Sequence, residues 1–476
     1  MQTWNDLVLS AWSDSDAPAV LTPDLCWSGD ELLHRAGGAA VWLDGLGVGA
    51  QACVPAIVDE SPAAIALVLG ATLSGRAPAP LGTKLPASDL AHALVGLGSK
   101  LVVADSGSEE LARNAAELAG ADVVTLEVPR PAEPRFGPCD PHAAALVVHT
   151  SGTTGRPKPV TATHQTLVSR IGKYGDAIEI KAGDRYCSAS PFSHTAGVAM
   201  VYTVLGLGAS VIPQGWFSIE NWRIAGRLDV TCCLLVPTMI DILLEAGALS
   251  DARPRVLQYG AAPIDPRTLR DALAQLPDTR FVQIFGQTEV SPITALTHED
   301  HLRAVAGESE LLRTVGRPVA GVELRIDQPD GGGIGEILVR SDHCFIVGAD
   351  GWRRTGDLGA IDEDGYLSLY GRTDDRIVRG GENIYPAEVE GALATHPAVR
   401  EVAVVGVPDR RWGEVVKAVV VTDAGSNQPT AASLQSYLRP LIAHFKVPAV
   451  IEFVDSLPRT PSGKVLRRQL IRRDDT

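Results

Sequence analysis

Apolar positions along the chain come in short continuous runs more often than in strict alternation. Ala52 to Val58, Leu101 to Ala104, Val123 to Val128, Ala143 to Val148, Thr231 to Val236, Arg255 to Tyr259 and Phe281 to Phe285 are such runs. They read as strands buried on both faces. Helical patterns lie between them, with Pro62 to Leu73 the clearest. Alternating strands and helices predict parallel sheets covered by helices, so the first three-quarters of the chain reads as α/β. From about Thr314 the strands shorten (Glu323 to Ile326, Glu336 to Val339, Tyr366 to Tyr370) and are separated by turn clusters such as Asp330-Gly331-Gly332-Gly333, which predicts a small antiparallel β subdomain. After Gly371 a smaller α+β unit of roughly 100 residues is expected. It holds a helix opened by Pro386 (Ala387 to Ala394), strands Glu401 to Val407 and Lys417 to Val421, a helix Ala432 to Leu438, and a basic tail at Lys464-Val465-Leu466-Arg467-Arg468.

Composition narrows the class. The 476 residues exceed one core, and 45% hydrophobic with 21% charged is ordinary globular composition. A formal charge of −15, from 57 acidic and 42 basic residues, opposes nucleic acid and anionic lipid, so any anionic ligand must be met by local cations. Seven scattered cysteines without a Cys-x-x-Cys pair read as reduced thiols in a cytoplasmic protein. The N-terminus lacks the basic flank and apolar core of a secretory signal. Tyr186 to Ile219 carries no charged residue but is broken by Pro191, Gly197, Gly206, Gly208 and Pro213, so a buried helix followed by a strand is expected there, with no membrane span.

Candidate chemistry lies in the connections. Ser151-Gly152-Thr153-Thr154-Gly155-Arg156-Pro157-Lys158-Pro159 follows the Ala143 to Val148 run, and a helical segment, Gln165 to Tyr174, comes soon after. Converging N–H groups there suit a phosphate, though alone the stretch is equally a polar turn. The spacing excludes a Walker A loop and a kinase-type glycine loop. Phe285-Gly286-Gln287-Thr288-Glu289 ends an apolar strand, where open α/β sheets place ligands. Phe285 can stack on a base, Thr288 can donate to a phosphate, and Glu289 offers a hard oxygen to magnesium. Four more stretches mix glycine with charge: Gly351-Trp352-Arg353-Arg354-Thr355-Gly356-Asp357, Gly371-Arg372-Thr373-Asp374-Asp375-Arg376, Arg379-Gly380-Gly381-Glu382-Asn383, and Pro458-Arg459-Thr460-Pro461-Ser462-Gly463-Lys464. Singly, each has a bland reading as a surface turn or ion pair.

In order and spacing these stretches resemble the adenylate-forming superfamily of acyl-CoA synthetases, peptide-synthetase adenylation domains and luciferases. The resemblance implies a large N-terminal domain, residues 1–373, and a small mobile C-terminal domain, residues 374–476, joined by a hinge at Asp374. It implies a phosphate loop of Thr150, Ser151, Gly152, Thr153, Thr154, Gly155 and Lys158. Glu289 would hold Mg2+ and Thr288 the α-phosphate of ATP, Phe285 would stack on adenine, and Asp357 and Arg372 would bind ribose. Lys464 would be the catalytic cation of adenylate formation, and the Arg379 to Glu382 loop, with Gly380 and Gly381, would approach for the thiol step. A carboxylate is already ionised at neutral pH, since its pKa is about 4. Catalysis therefore needs charge neutralisation more than a base, which suits Mg2+ and Lys464. Three departures stand out: Pro159 where the family usually has Gly, Phe285 for the commoner Tyr, and a shorter segment between Gly335-Glu336-Ile337 and Gly351-Trp352.

Pro191-Phe192-Ser193-His194-Thr195-Ala196-Gly197 carries a His where amino-acid-activating members have an Asp, as aryl- and acyl-CoA ligases do. By resemblance His194 would lie by the carboxylate; a buried His donating to backbone is the other reading. The pocket would be lined by Ala196, Gly197, Tyr259, Gly260, Ala261, Ile284, Gly286, Ser291 and Pro292, small or apolar positions suited to an uncharged acyl or aryl tail. Trp412, in Val407-Pro408-Asp409-Arg410-Arg411-Trp412-Gly413-Glu414, would pack on the pantetheine arm or else anchor the domain core. No carrier domain is expected after Thr476, so free coenzyme A is the first acceptor and the phosphopantetheine arm of a separate carrier protein the second. A non-catalytic nucleotide-binding protein and a luciferase-type oxygenase are the remaining readings; the presence of both Glu289 and Lys464 speaks against the former.

Overall fold

Ser61 fixes the start of the helix Pro62–Leu73: its side chain accepts a hydrogen bond from the Ala64 N–H, and Pro62 sits in the first turn. Proline loses nothing there, because that N–H has no helical partner in any case. Ala64 to Leu73 are all buried, as a helix without a polar face requires. The computed structural model describes residues 2–134, 136, 139–151, 157–262, 264–422, 428–459 and 465–471.

The chain divides into two compact units: Met1–Glu323 with Arg340–Arg353, and Leu324–Val339 with Arg354–Thr476. The first unit holds a nine-stranded sheet. Its six central strands (Pro18–Thr22, Ser210–Pro213, Arg185–Ser188, Cys232–Leu235, Val256–Gly260, Arg280–Gln287) run parallel, and antiparallel strands close both edges. A second, wholly parallel sheet orders Ala77–Leu81, Cys53–Ile57, Leu101–Ala104 and Asp122–Thr125. The uncharged stretch forms a buried helix, Met200–Gly206, and then the strand Ser210–Pro213, as its glycines and prolines indicate. Among the described residues no helix is long and apolar enough to cross a membrane. All seven cysteines are free thiols.

Two readings need correction. The Ala143 to Val148 run does not enter a parallel sheet: Ala144–Ser151 pairs antiparallel with Pro157–Thr163 in a two-stranded ribbon. The helix expected soon after the loop, Gln165 to Tyr174, is present as His164–Ile178, but a strand the reading did not contain, Pro157–Thr163, precedes it. Val160 and Ala162 of that strand are buried while Pro159 and Thr161 are exposed, a period-two pattern that two prolines and small residues disguise. The second correction is a strand that the pattern does not announce, Arg353–Ile361, which pairs antiparallel with Leu367–Arg372 in a four-stranded sheet.

In the second unit the strands Val399–Asp409 and Gly413–Thr422 form a long hairpin whose side chains alternate between two small cores. Val404, Val416, Ala418 and Val420 meet Val389 and Leu393 of the helix Pro386–Ala394 and Leu434 and Leu438 of the helix Ala431–Leu438. Val405, Val419 and Val421 face Leu457 and Leu470. The boundary expected at Asp374 falls inside this unit, in the short turn Thr373–Asp375. Across that turn the Tyr385 hydroxyl donates to Asp330 Oδ2 at 2.7 Å.

One buried carboxyl ties the two sheets of the first unit. Glu60, just after the strand Cys53–Ile57, accepts from the Gln214 N–H at 2.9 Å, just after the strand Ser210–Pro213. Burial pushes it up to about 8, against backbone hydrogen bonds that favour the charged form. The unfolded chain releases this proton near the ordinary 4.5, so the fold keeps a proton that the unfolded state has lost. The contribution is complete below the unfolded value and is lost as pH rises through the folded one. We expect the wild type to lose stability relative to Glu60→Gln by about 1.4 kcal/mol per pH unit between pH 5 and 8. Urea midpoints at several pH values measure the gap; a gap independent of pH means the carboxyl is ionised in the fold.

Candidate active site

The carboxyl end of the strand Arg280–Gln287 is shaped by its hairpin with Val290–Leu296. Gln287 pairs with Val290, so Thr288 and Glu289 form a two-residue turn with both side chains partly buried. Between the pairs Phe285–Thr294 and Gln287–Val290 the register shifts, and Ser291 is pushed against Gly286. A Cβ on Gly286 would stand 2.5 Å from Ser291 Oγ, which is why only glycine fits. The neighbouring strand ends similarly: a Cβ on Gly260 would meet the Ile284 carbonyl at 2.5 Å, and Ala261 takes φ 68, a strained value for a residue with a side chain.

Of the expected pocket residues, Gly260, Ala261, Ile284, Gly286, Ser291 and Pro292 lie on these two adjoining strand ends. Tyr259 offers only backbone: its ring is buried in the core and its hydroxyl donates to His301 Nε2 at 2.6 Å. His301 gives its Nδ1–H to the Thr297 carbonyl, and burial lowers its pKa to about 4, so it stays a neutral acceptor. His194 is at the mouth of a π-helical turn, Thr195–Ala199, where its carbonyl accepts from the Gly197 and Val198 N–H groups. Such turns often occur at functional sites. A Cβ on Gly197 would sit 2.3 Å from the Pro191 carbonyl, and the buried Thr195 hydroxyl has no partner.

The shortened segment packs behind the Thr288–Glu289 turn. The Phe345 N–H donates to the Glu289 carbonyl at 2.8 Å, and His343 Nε2–H donates to the Pro292 carbonyl at 2.9 Å. Two arginines that the sequence reading passed over complete the surroundings. Arg353 donates through one terminal N–H to Glu289 Oε1 at 2.9 Å, while its Nε is buried without a partner. Arg170 is fully buried; it donates to the Ser291 carbonyl and stacks over Tyr174, 4.4 Å from the ring centre. Both carried a readable signal. Arg170 falls in the stripe of buried positions Leu167, Ile171, Tyr174 and Ile178. In Arg353-Arg354, strand alternation turns only one side chain outward.

Thr150 pairs with Lys158 across the ribbon, and Lys158 is exposed. Gly152, Thr153, Thr154, Gly155, the Ser151 side chain and Lys464 lie outside the described residues. In the second unit Asp357 and Arg372 are direct register partners, and an Arg372 N–H donates to Asp357 Oδ1 at 2.9 Å. Trp412 is 42% exposed, which removes the core-anchor reading. It lies against Gly380, whose Cβ would be 2.8 Å from the ring, and is flanked by the guanidiniums of Arg379 and Arg411 at 5.4 and 5.0 Å. Gly380 and Gly381 take φ 59 and 93, the left-handed region that glycine tolerates.

A family model described as AMP-binding enzyme matches residues 10–346, and one described as AMP-binding enzyme C-terminal domain matches residues 388–464. The chain belongs to the AMP-binding enzyme family. It is an adenylate-forming ligase by family, with a large α/β unit of parallel sheets and a smaller C-terminal one. Among its relatives are the fatty acid–acyl-carrier-protein ligase ScoC of Streptomyces coeruleorubidus, 31% identical over 97% of this chain and 94% of that protein, and a feruloyl-CoA synthase of an Amycolatopsis species, 33% identical over 93% of each. Among solved structures, ATP-bound MatB from Rhodopseudomonas palustris matches with a TM-score of 0.85 and 28% identity, covering 99% of this chain and 98% of that one.

The family's ligands suit the described residues. No group of three or more His, Cys, Asp or Glu gathers among them. Magnesium carried by a nucleotide needs only one or two carboxylates. Glu289 offers one carboxylate, and the Arg353 Nε beside it is buried without a hydrogen-bond acceptor.

Proposed function

We propose that the chain converts an uncharged acyl or aryl carboxylic acid to its acyl-adenylate and then to its coenzyme A thioester. The observation that carries this is the Thr288–Glu289 turn at the carboxyl end of a parallel strand, within the stretch matched by the AMP-binding enzyme model. In the first step the carboxylate oxygen bonds to the α-phosphorus and pyrophosphate leaves. In the second, sulfur bonds to the acyl carbon and AMP leaves. Magnesium, when bound with the nucleotide, spreads the charge of the phosphates. Glu289 would provide its protein ligand, Thr288 a donor to the α-phosphate, Phe285 a face for adenine, and Asp357 with Arg372 a grip on the ribose. Lys158 and the loop before it would hold the departing pyrophosphate. His194 would orient the acid against the small residues Ala196, Gly197, Gly260, Ala261 and Gly286.

Free coenzyme A is the proposed acceptor, with the Gly380–Gly381–Trp412 platform receiving the pantetheine arm. A carrier protein's phosphopantetheine arm is the second reading, favoured by the relative ScoC, a fatty acid–acyl-carrier-protein ligase. The decisive experiment is acid-dependent exchange of labelled pyrophosphate into ATP across straight-chain, branched, aryl and amino acids, followed by coenzyme A. Exchange with thioester formation supports the reading. Exchange without coenzyme A turnover moves it to the carrier protein, and no exchange with any acid overturns it.

The division at Asp374 has its own test. Proline there fixes φ and biases Thr373 away from the helical region that the Thr373–Asp375 turn uses. Asp374→Pro is expected to depress one half-reaction at least about tenfold more than the other, the scale of a rearrangement that sets turnover. Separate rates, from pyrophosphate exchange and from preformed acyl-adenylate with coenzyme A, provide the comparison. Equal loss of both would remove the hinge.

A further inference from the structure

Arg353 and Glu289 face each other at 2.9 Å, and each side chain is only 18% exposed, so the pair is far less screened than a surface contact. The pairing is also incomplete: one N–H reaches one carboxylate oxygen, and Arg353 Nε is buried with nothing to donate to. A buried donor left unmade is costly, and a ligand acceptor would relieve it. Arg354, next in the chain, is committed elsewhere, to Asp327 and Glu336. Arg353 is thus the cation positioned at the carboxylate that the reading above assigns to magnesium.

We propose that Arg353 is a nucleotide-positioning residue that exchanges partners. In the free protein it neutralises Glu289. When the magnesium nucleotide arrives it releases that carboxylate to the cation and donates its N–H groups to a phosphate oxygen. Two ion pairs exchange and no covalent bond changes. This rests on the ATP-dependent reading of the site. It differs from a purely structural strut in one respect: Glu289 must restrain Arg353, so removing the carboxylate's charge should help a nucleotide that comes without metal.

The test is the affinity of the full chain for α,β-methylene-ATP in EDTA, by calorimetry, in wild type, Arg353→Met, Glu289→Gln and the double variant. We expect Arg353→Met to weaken metal-free binding about tenfold and Glu289→Gln to tighten it about tenfold, each the effect of one partly buried charge. In the double variant the gain from Glu289→Gln falls to threefold or less, because the arginine it released is gone. Single variants within twofold of wild type, or a gain that persists undiminished in the double variant, would overturn the proposal. If the methionine variant does not fold, Arg353→Gln carries the same expectations. A wild type that fails to bind the analogue even with magnesium overturns the ATP-dependent reading itself, separately from the role of Arg353.

Discussion

Replacing Lys464 with alanine is expected to slow acyl-adenylate formation by about a hundredfold or more, the range seen when one preorganised group facing transition-state charge is removed. ATP affinity should change little. The reason lies in the charge balance of the step: an anion must approach a polyanion inside a protein of net charge −15. Local cations therefore act mainly where charge builds up between the two reactants, and less where ATP is already neutralised by its metal. Lys464 lies within the stretch matched by the C-terminal family model. The comparison that checks it is single-turnover adenylate formation against nucleotide affinity, with thioester formation from preformed acyl-adenylate as a third arm. Normal adenylate formation in the variant would remove Lys464 from the step. Loss of all three would indicate damage to the fold.

Residues whose surroundings are local were legible in the sequence. Pro62 to Leu73 and Leu101 to Ala104 were placed to the residue, because a uniformly apolar helix after Ser-Pro and a four-residue aliphatic strand leave little else to form. The strand Pro157–Thr163 was hidden by its own composition, for proline and threonine weaken the strand signal even where Val160 and Ala162 are buried. The strand Arg353–Ile361 was hidden by the charge and glycine of Arg-Arg-Thr-Gly-Asp. Glu289 could be nominated from its motif, since the motif's order specifies the turn. Its partner Arg353 is 64 residues away in sequence, and nothing in either stretch states that they meet. Arg170 escaped for the same reason: the carbonyl it binds, Ser291, is 121 residues away.

Glu289→Gln separates what the turn does by shape from what it does by charge. The amide keeps the side chain's size and can still accept from Arg353, so the Thr288–Glu289 turn and the Phe345 hydrogen bond to its backbone should persist. The charge is lost, and with it the hard anionic oxygen that a magnesium nucleotide requires. Acid-dependent pyrophosphate exchange is therefore expected to fall by about a hundredfold at ordinary magnesium concentration, and raising magnesium should recover part of it. Stability should fall by about 1–3 kcal/mol, because the neutral acceptor keeps the arginine hydrogen-bonded but leaves its partly buried charge unpaired. A variant that exchanges pyrophosphate at the wild-type rate with unchanged magnesium dependence would show that Glu289 serves only to hold Arg353. The metal ligand would then have to be sought elsewhere. If activity falls and additional magnesium recovers none of it, the carboxylate's contribution is to the geometry of the turn and not to the cation.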